Sequence, residues 1–321
     1  MDQYQRHHRS TRRFSYTPFG RLSVYLLALL LISQTGCLQT KPFDIPETEP
    51  ILVLNALIEA QSINTIYLSR TWQGDRPDSI VPQGGVVWVK RNNGVWKALQ
   101  ESESGQFTWL EDLPQAGDEV EVKAMAPGYP EITAKTLIPL PVETASAQWT
   151  DRTILGDDGT LQSILAVALT DPEIDQENHF MLLSFGERLA DGERFALDLK
   201  TNNPVLEFQV VYTEPNKSRP GDFIRYNPNF FTDEFFANGE ISLDFYLPKR
   251  SLDRARDLNE ERWGIQLIGL DEAAFRFLRT ADQAKLNDDN LFAEPQPIYS
   301  NIEGGAGVWG AMTRREYIAE W

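Results

Sequence analysis

Between Ile51 and Leu137 the chain repeats one pattern that leaves few folds open. Short runs with apolar residues at every second position are separated by turn-forming residues. Strict alternation places one face of a strand in a core and the other in water, whereas an amphipathic helix needs a period of 3.6. Ile51 to Leu57 is apolar on both faces, and Thr65 to Arg70 puts Ile66 and Leu68 on one side. Val86 to Val89 leads through Lys90 and Arg91 into Asn92-Asn93-Gly94, whose Asn-Gly pair suits a tight turn, and Val95 to Leu99 is placed to pair back. Phe107 and Trp109 flank Thr108. Glu119 to Ala124 alternates charge outward and apolar inward, Pro127-Gly128-Tyr129-Pro130 turns the chain, and Ile132 to Leu137 supplies another run. About seven strands in about 90 residues predict an immunoglobulin-like or transthyretin-like β-sandwich over residues 50–138.

Pro139-Leu140-Pro141 is stiff and extended, so residues 139–144 are expected to be a linker. A second, larger β-rich domain is expected over 145–321, with candidate strands at Leu161 to Thr170, Phe180 to Phe185, Val205 to Tyr212, Ile241 to Leu247 and Trp263 to Leu270. Asp271 is positioned to cap one helix of about 271–286, with Ala274, Phe277, Leu278 and Ala281 on its apolar face. The predicted fold class is therefore mainly β, with one packed helix in the C-terminal half.

Upstream of these domains, Leu22 to Ile32 is apolar and follows Arg6, Arg9, Arg12, Arg13 and Arg21. This run is about half of the ~20 residues a transmembrane helix requires, and its basic flank suits an export signal. It ends in Ser33-Gln34-Thr35-Gly36-Cys37, so residues 1–36 read as a lipoprotein signal peptide and Cys37 as the lipidated residue. Gln34 stands where such signals usually carry Leu, which leaves a cleaved but unlipidated signal as the alternative. Residues 37–49, with two prolines and three acids, read as a leash to the first domain. Cys37 is the only cysteine, so the chain offers no disulfide or cysteine-ligated metal. Past residue 36 there are 25 basic and 46 acidic residues, a net charge of −21, which makes nucleic acid an unsuitable partner. His179 is the one histidine beyond the signal, and its place at a strand start suits a structural role.

Three constellations are candidate sites. Asp171, Glu173, Asp175 and Glu177 alternate as calcium ligands can, but Gln176 and Leu182 occupy the positions where a helix-loop-helix site needs Gly and Glu, so a solvated acidic loop is the competing reading. Glu187, Asp191 and Glu193 supply the paired carboxylates that a glycan hydrolase uses. Phe223, Tyr226, Phe230, Phe231, Phe235 and Phe236 crowd into one loop-rich segment, where they either close the second core or contact a glycan or protein partner. Trp72, before Gln73-Gly74-Asp75, is a further candidate contact. No catalytic motif or cofactor-binding motif accompanies them.

Near the carboxyl end the chain reads Ile298-Tyr299-Ser300-Asn301-Ile302-Glu303-Gly304-Gly305-Ala306-Gly307-Val308-Trp309-Gly310. With Cys37 and its leash, Gly85 to Gly94, Leu169-Thr170-Asp171-Pro172 followed by His179-Phe180, Phe231 to Phe236 and the Asp271 helix, this resembles the Bacteroidota lipoprotein family catalogued as domain of unknown function four-two-four-nine. The resemblance implies a non-enzymatic, lipid-anchored protein of the outer membrane and cell surface. It also implies an accessory to a TonB-dependent transporter that captures a small ligand or glycan or docks on the barrel, with no active-site residues to carry over. A surface adhesion or structural lipoprotein is the alternative, and an uncharacterised glycan hydrolase a third. From the residues themselves, the glycines and Asn301 predict a tight buried turn.

Overall fold

The computed structural model describes residues 49–72, 80–142, 145–171, 176–202, 212–216, 219, 221–288, 294 and 296–319. Cys37 and the residues expected to form the signal and the leash lie outside this range, apart from Glu49. From Thr48 to Trp321 the chain is one compact unit. It is mainly β, as the alternation predicts.

The centre of the molecule is a nine-stranded sheet ordered β12-β11-β17-β18-β1-β2-β6-β5, with β15 also pairing to β11. Its strands are β1 (Leu52–Glu59), β2 (Asn64–Arg70), β5 (Gln100–Glu103), β6 (Gln106–Trp109), β11 (His179–Arg188), β12 (Arg194–Ala196), β15 (Asn229–Thr232), β17 (Glu261–Leu270) and β18 (Ala306–Ile318). Two smaller sheets lie side by side over one face. The first, β4-β3-β7-β8, comprises β3 (Val86–Arg91), β4 (Lys97–Ala98), β7 (Glu119–Met125) and β8 (Ile132–Leu137). It closes on β1, β2 and β6 around Leu54, Ile58, Ile66, Val87, Phe107, Val122 and Ile132. These are the inward positions of the alternating runs, so this region is a two-layer β-sandwich.

The second small sheet is β16-β10-β9, with β9 (Ala145–Leu155), β10 (Leu161–Thr170) and β16 (Glu240–Pro248). Together with helix α1 (Lys249–Leu258) it packs Trp149, Val167, Phe245 and Leu252 against Phe180, Trp263, Ile265 and Leu267 of the central sheet. On the opposite face of the central sheet, helix α2 (Glu272–Asp288) and the hairpin of β13 (Tyr212–Pro215) and β14 (Phe223–Tyr226) cover Met181, Leu183, Ile268 and Met312.

Two expectations change in this frame. The predicted helix forms, with Asp271 as its cap, but its most buried residues are Ala273, Ala274 and Phe275 rather than Phe277, which is half-buried. Helix α1 was not anticipated from the sequence. The stretch expected as a stiff linker between separate domains lies on the central sheet: Val142 is buried, Thr313 Oγ1 donates to the Leu140 carbonyl at 3.4 Å, and Tyr317 Oη donates to that of Val142 at 3.2 Å. The cause is β18, which inserts between β17 and β1 and so joins the two halves in one sheet.

β18 runs parallel to β1, pairing Val53 with Ala306 through Glu59 with Met312, and antiparallel to β17. The glycine-rich turn ahead of it is tight, as its composition predicts, but only partly buried: Ile302 is in the core, whereas Glu303 and Gly304 are exposed. Asn301 stands in for a strand at the entry, its Nδ2 donating to the Trp309 carbonyl and its Oδ1 accepting the Trp309 N–H, both at 2.9 Å. Trp309, fully buried, donates its indole N–H to the Val120 carbonyl at 3.0 Å and thereby ties the central sheet to its cover. Replacing Asn301 with Ala removes both amide bonds and is expected to cost about 2 kcal/mol, read as a lowered midpoint in equilibrium urea unfolding with unchanged m-value.

Candidate functional site

The aromatic segment resolves into two environments. In β14 side chains alternate, so Tyr226 and Ile224 turn inward while Phe223 is 65% exposed. In β15, Phe230 and Phe231 are both fully buried because the strand pairs with β11 and has a core on each side. Phe230 packs in the core beneath α2, and Phe231 packs with Phe180 in the other, their ring centroids 5.3 Å apart. Phe236 is half-buried and stacks on Phe180 at 5.7 Å. The expectation of a contact surface is therefore corrected for Tyr226, Phe230 and Phe231, which close cores. Phe235 ends a short 3-10 turn, and the position of its side chain lies outside the described set. Trp72 is 45% exposed.

The acidic candidates are engaged by cations and amides. Glu187 accepts from Arg194 Nε at 3.2 Å and Arg262 Nη2 at 2.7 Å. Glu193 pairs with Arg188 and, at 2.8 Å, with Arg219, while Asp191 receives the Glu193 N–H at 3.0 Å. That N–H bond, with Arg188 nearby, holds the Asp191 carboxyl below the usual carboxylate range. A general acid needs a carboxyl kept protonated near neutral pH, and an arginine neighbour acts in the opposite direction. The arrangement is that of a surface ion-pair network.

In the predicted calcium loop, Glu173 and Asp175 lie outside the described residues. Asp171 Oδ1 accepts Asn178 Nδ2 at 2.9 Å, and Asp233 Oδ2 accepts the Asn178 backbone N–H at 2.7 Å. Glu177 sits 3.5 Å from His179 Nε2, and the buried His179 ring packs 4.3 Å from that of Phe275. Among the described residues no group of three or more His, Cys, Asp or Glu side chains is placed to hold a metal.

A polar cluster invisible to the strand-by-strand reading occupies the central sheet beneath the β13–β14 hairpin. Arg314 of β18 donates from Nε to Glu59 at 3.1 Å, and from Nη1 to Glu214 of the hairpin at 2.9 Å and to Gln266 Oε1 at 2.7 Å. Burial alone would favour the neutral guanidine, but the carboxylates of Glu59 and Glu214 more than offset it and hold Arg314 firmly protonated. Burial also pushes the Tyr226 phenol up, with the Glu214 carboxylate adding to the shift. The cluster is thus locked in its charged and hydrogen-bonded form and fastens the hairpin to the sheet. Arg314 is separated from Gln266, Glu214 and Glu59 by 48, 100 and 255 residues in sequence, so no local motif announces them.

The sequence reading also passed over Trp88 and Trp96, which meet on the outer face of the first small sheet. Lys123 Nζ lies 5.2 Å from the Trp88 ring centroid and 4.8 Å from that of Trp96. Trp88 sits in the Val86 to Val89 run, which reads in sequence only as a strand leading into the Asn92-Asn93-Gly94 turn.

The model of the family described as Domain of unknown function (DUF4249) matches residues 40–318. The chain belongs to this family. The match spans both small sheets and the whole central sheet, and it includes the Asn301–Gly310 turn whose structural role is described above. No curated protein matches the chain. The glycines of this turn have a physical account: an added Cβ at Gly304, Gly305, Gly307 or Gly310 would meet β1, β8 or α2.

Proposed function

We propose that the chain is a non-enzymatic lipoprotein of the outer membrane that serves as an accessory to a TonB-dependent transporter, capturing ligand or docking on the barrel. The observation that carries the anchored half of this reading is the apolar run that ends in Gly36-Cys37 and holds the chain's single cysteine. Several acyl chains, at about 0.8 kcal/mol per buried CH₂, give durable attachment. The accessory half draws on the resemblance and on a rigid β body whose carboxylates at Glu187 and Glu193 are committed to arginines.

The test uses tagged wild type and Cys37→Ser expressed in the native host with an alkyne-bearing fatty acid. Wild type is expected to carry the label, partition into detergent and co-purify a TonB-dependent transporter identified by mass spectrometry. Cys37→Ser is expected to lose the label and leave the membrane fraction. An unlabelled wild type overturns the anchor, and labelled protein that recovers no transporter overturns the accessory role.

A further inference from the structure

The outer face of the β4-β3-β7-β8 sheet departs from what a solvated sheet face needs. Its inward positions, Val87, Val89, Val120, Val122 and Ala124, are buried in the sandwich core. Its outward positions should then be polar. Instead Val86 and Met125, paired across β3 and β7, are 37% and 42% exposed, and Trp88 stands beside them opposite Lys123. Trp96, from the loop before β4, joins them at 37% exposure, with Val95 next to it at 75%.

Cations fix the rings. Lys123 is over both indoles, and Lys90 is 5.2 Å from the Trp96 centroid while paired to Glu121. Each ammonium is attracted to the electron-rich ring face and restrains an otherwise mobile side chain. Lys135 pairs with Glu119 at 2.7 Å. Among the described residues Lys123 makes no ion pair, so its charge is available to a ligand. Lys90, Lys123 and Lys135 balance Glu119, Glu121 and Glu303, whose carboxylate accepts from Thr133 opposite Lys123, so this face is near neutral on a chain of net charge −17.

Restrained aromatic rings beside an ammonium that makes no ion pair among the described residues have a definite complement. The C–H face of a pyranose covers an indole, removing apolar surface from water, and a carboxylate on the same ring pairs with the ammonium. Because the rings are already held, little side-chain freedom is lost on binding. The acidity of the remaining surface repels a broad anionic macromolecule but not a short saccharide that touches this face alone. We propose that this face binds an acidic pyranose of the uronate class, stacked on Trp96 beside Trp88 with its carboxylate on Lys123. The inference deepens the ligand-capture reading above and rests on it, by giving the ligand a chemical class.

Isothermal titration calorimetry of the purified full-length chain in detergent, with tetragalacturonate and with neutral maltotetraose, tests it. Tetragalacturonate is expected to bind saturably and at least tenfold more tightly than maltotetraose. Trp96→Ala is expected to weaken tetragalacturonate at least tenfold, and Lys123→Gln to abolish the preference for the acidic sugar, each with an unchanged melting temperature because both side chains lie at the surface. The proposal is overturned by the absence of saturable heat with wild type, by equal affinity for the neutral sugar, or by variants that bind as wild type does. Loss of transporter co-purification in Trp96→Ala without saccharide binding overturns it too, in favour of a protein-docking face. None of these results alters fatty-acid labelling at Cys37 or transporter recovery by wild type, so the earlier reading fails or stands separately.

Discussion

Replacing Gly307 with Ala is expected to cost more than about 4 kcal/mol, enough to leave little folded protein in a domain of ordinary stability. Two independent effects add. Gly307 has φ +112°, a region that side chains with a Cβ avoid at a cost of order 1–3 kcal/mol. The added Cβ would also lie 2.1 Å from the Leu54 carbonyl oxygen, an atom of β1 in the middle of the central sheet. Neither strand can retreat, because β1 is held by β2 on its other side and β18 by β17. Gly192 provides the matched control. It has φ +69° but nothing within 4 Å of an added Cβ, so Gly192→Ala carries the conformational cost alone, about 1 kcal/mol. Equilibrium urea unfolding of the two variants separates the contributions. A Gly307→Ala protein as stable as Gly192→Ala would falsify the role assigned to β18 as the strand that closes the sheet.

The same strand shows how far the sequence could be read. Alternation at Ile66 and Leu68, at Phe107 and Trp109 and along Glu119 to Ala124 located the first sandwich, because most of its core comes from strands close in sequence, with only Ile302, Trp309 and Ala311 added from the carboxyl end. The Asp271 cap likewise lies beside the helix it starts. β18 escaped because four glycines within residues 304–310 look like a loop, and because Thr313-Arg314-Arg315-Glu316 looks like a solvated charge run. The structure shows why that run can be a strand. Arg314 and Glu316 point to partners on distant elements, Glu59, Glu214 and Arg194, which no local window contains. Helix α1 was missed for the opposite reason, since only Leu252 and Ala255 of Lys249–Leu258 are buried and too few apolar residues remain to mark a stripe. The aromatic segment was legible as a cluster but not in its placement. Whether Phe230 and Phe231 are exposed depends on β15 having a core on both faces, a property of its neighbours and not of its own residues.

Asp271 joins the parts that sequence reading kept separate, and its replacement with Ala is expected to cost about 4 kcal/mol. Its Oδ1 accepts the Ala274 N–H at 2.9 Å and the Ala311 N–H at 2.8 Å, and its Oδ2 accepts the Thr136 hydroxyl. One carboxyl thus caps α2, holds β18 and reaches β8 of the first small sheet. Losing the cap is worth about 1 kcal/mol, and each of the other two donors left buried and unpaired adds roughly 1–3 kcal/mol. Burial raises the Asp271 pKa from 3.8, outweighing the Ala311 N–H, the Thr136 hydroxyl and the Ala274 N–H, which all favour the anion. The folded state therefore binds the proton more tightly than the unfolded chain does. Its contribution is fully present below the unfolded value near 3.8 and declines as pH rises through the raised folded value. In paired urea titrations, the stability gap between wild type and Asp271→Ala should accordingly be widest at the acid end and narrow as pH increases above about 4. A gap that widens with pH would mean that the three donors stabilise the carboxylate more than burial penalises it. The joint would then be held by an anion and not by a carboxyl that the fold keeps reluctant to ionise.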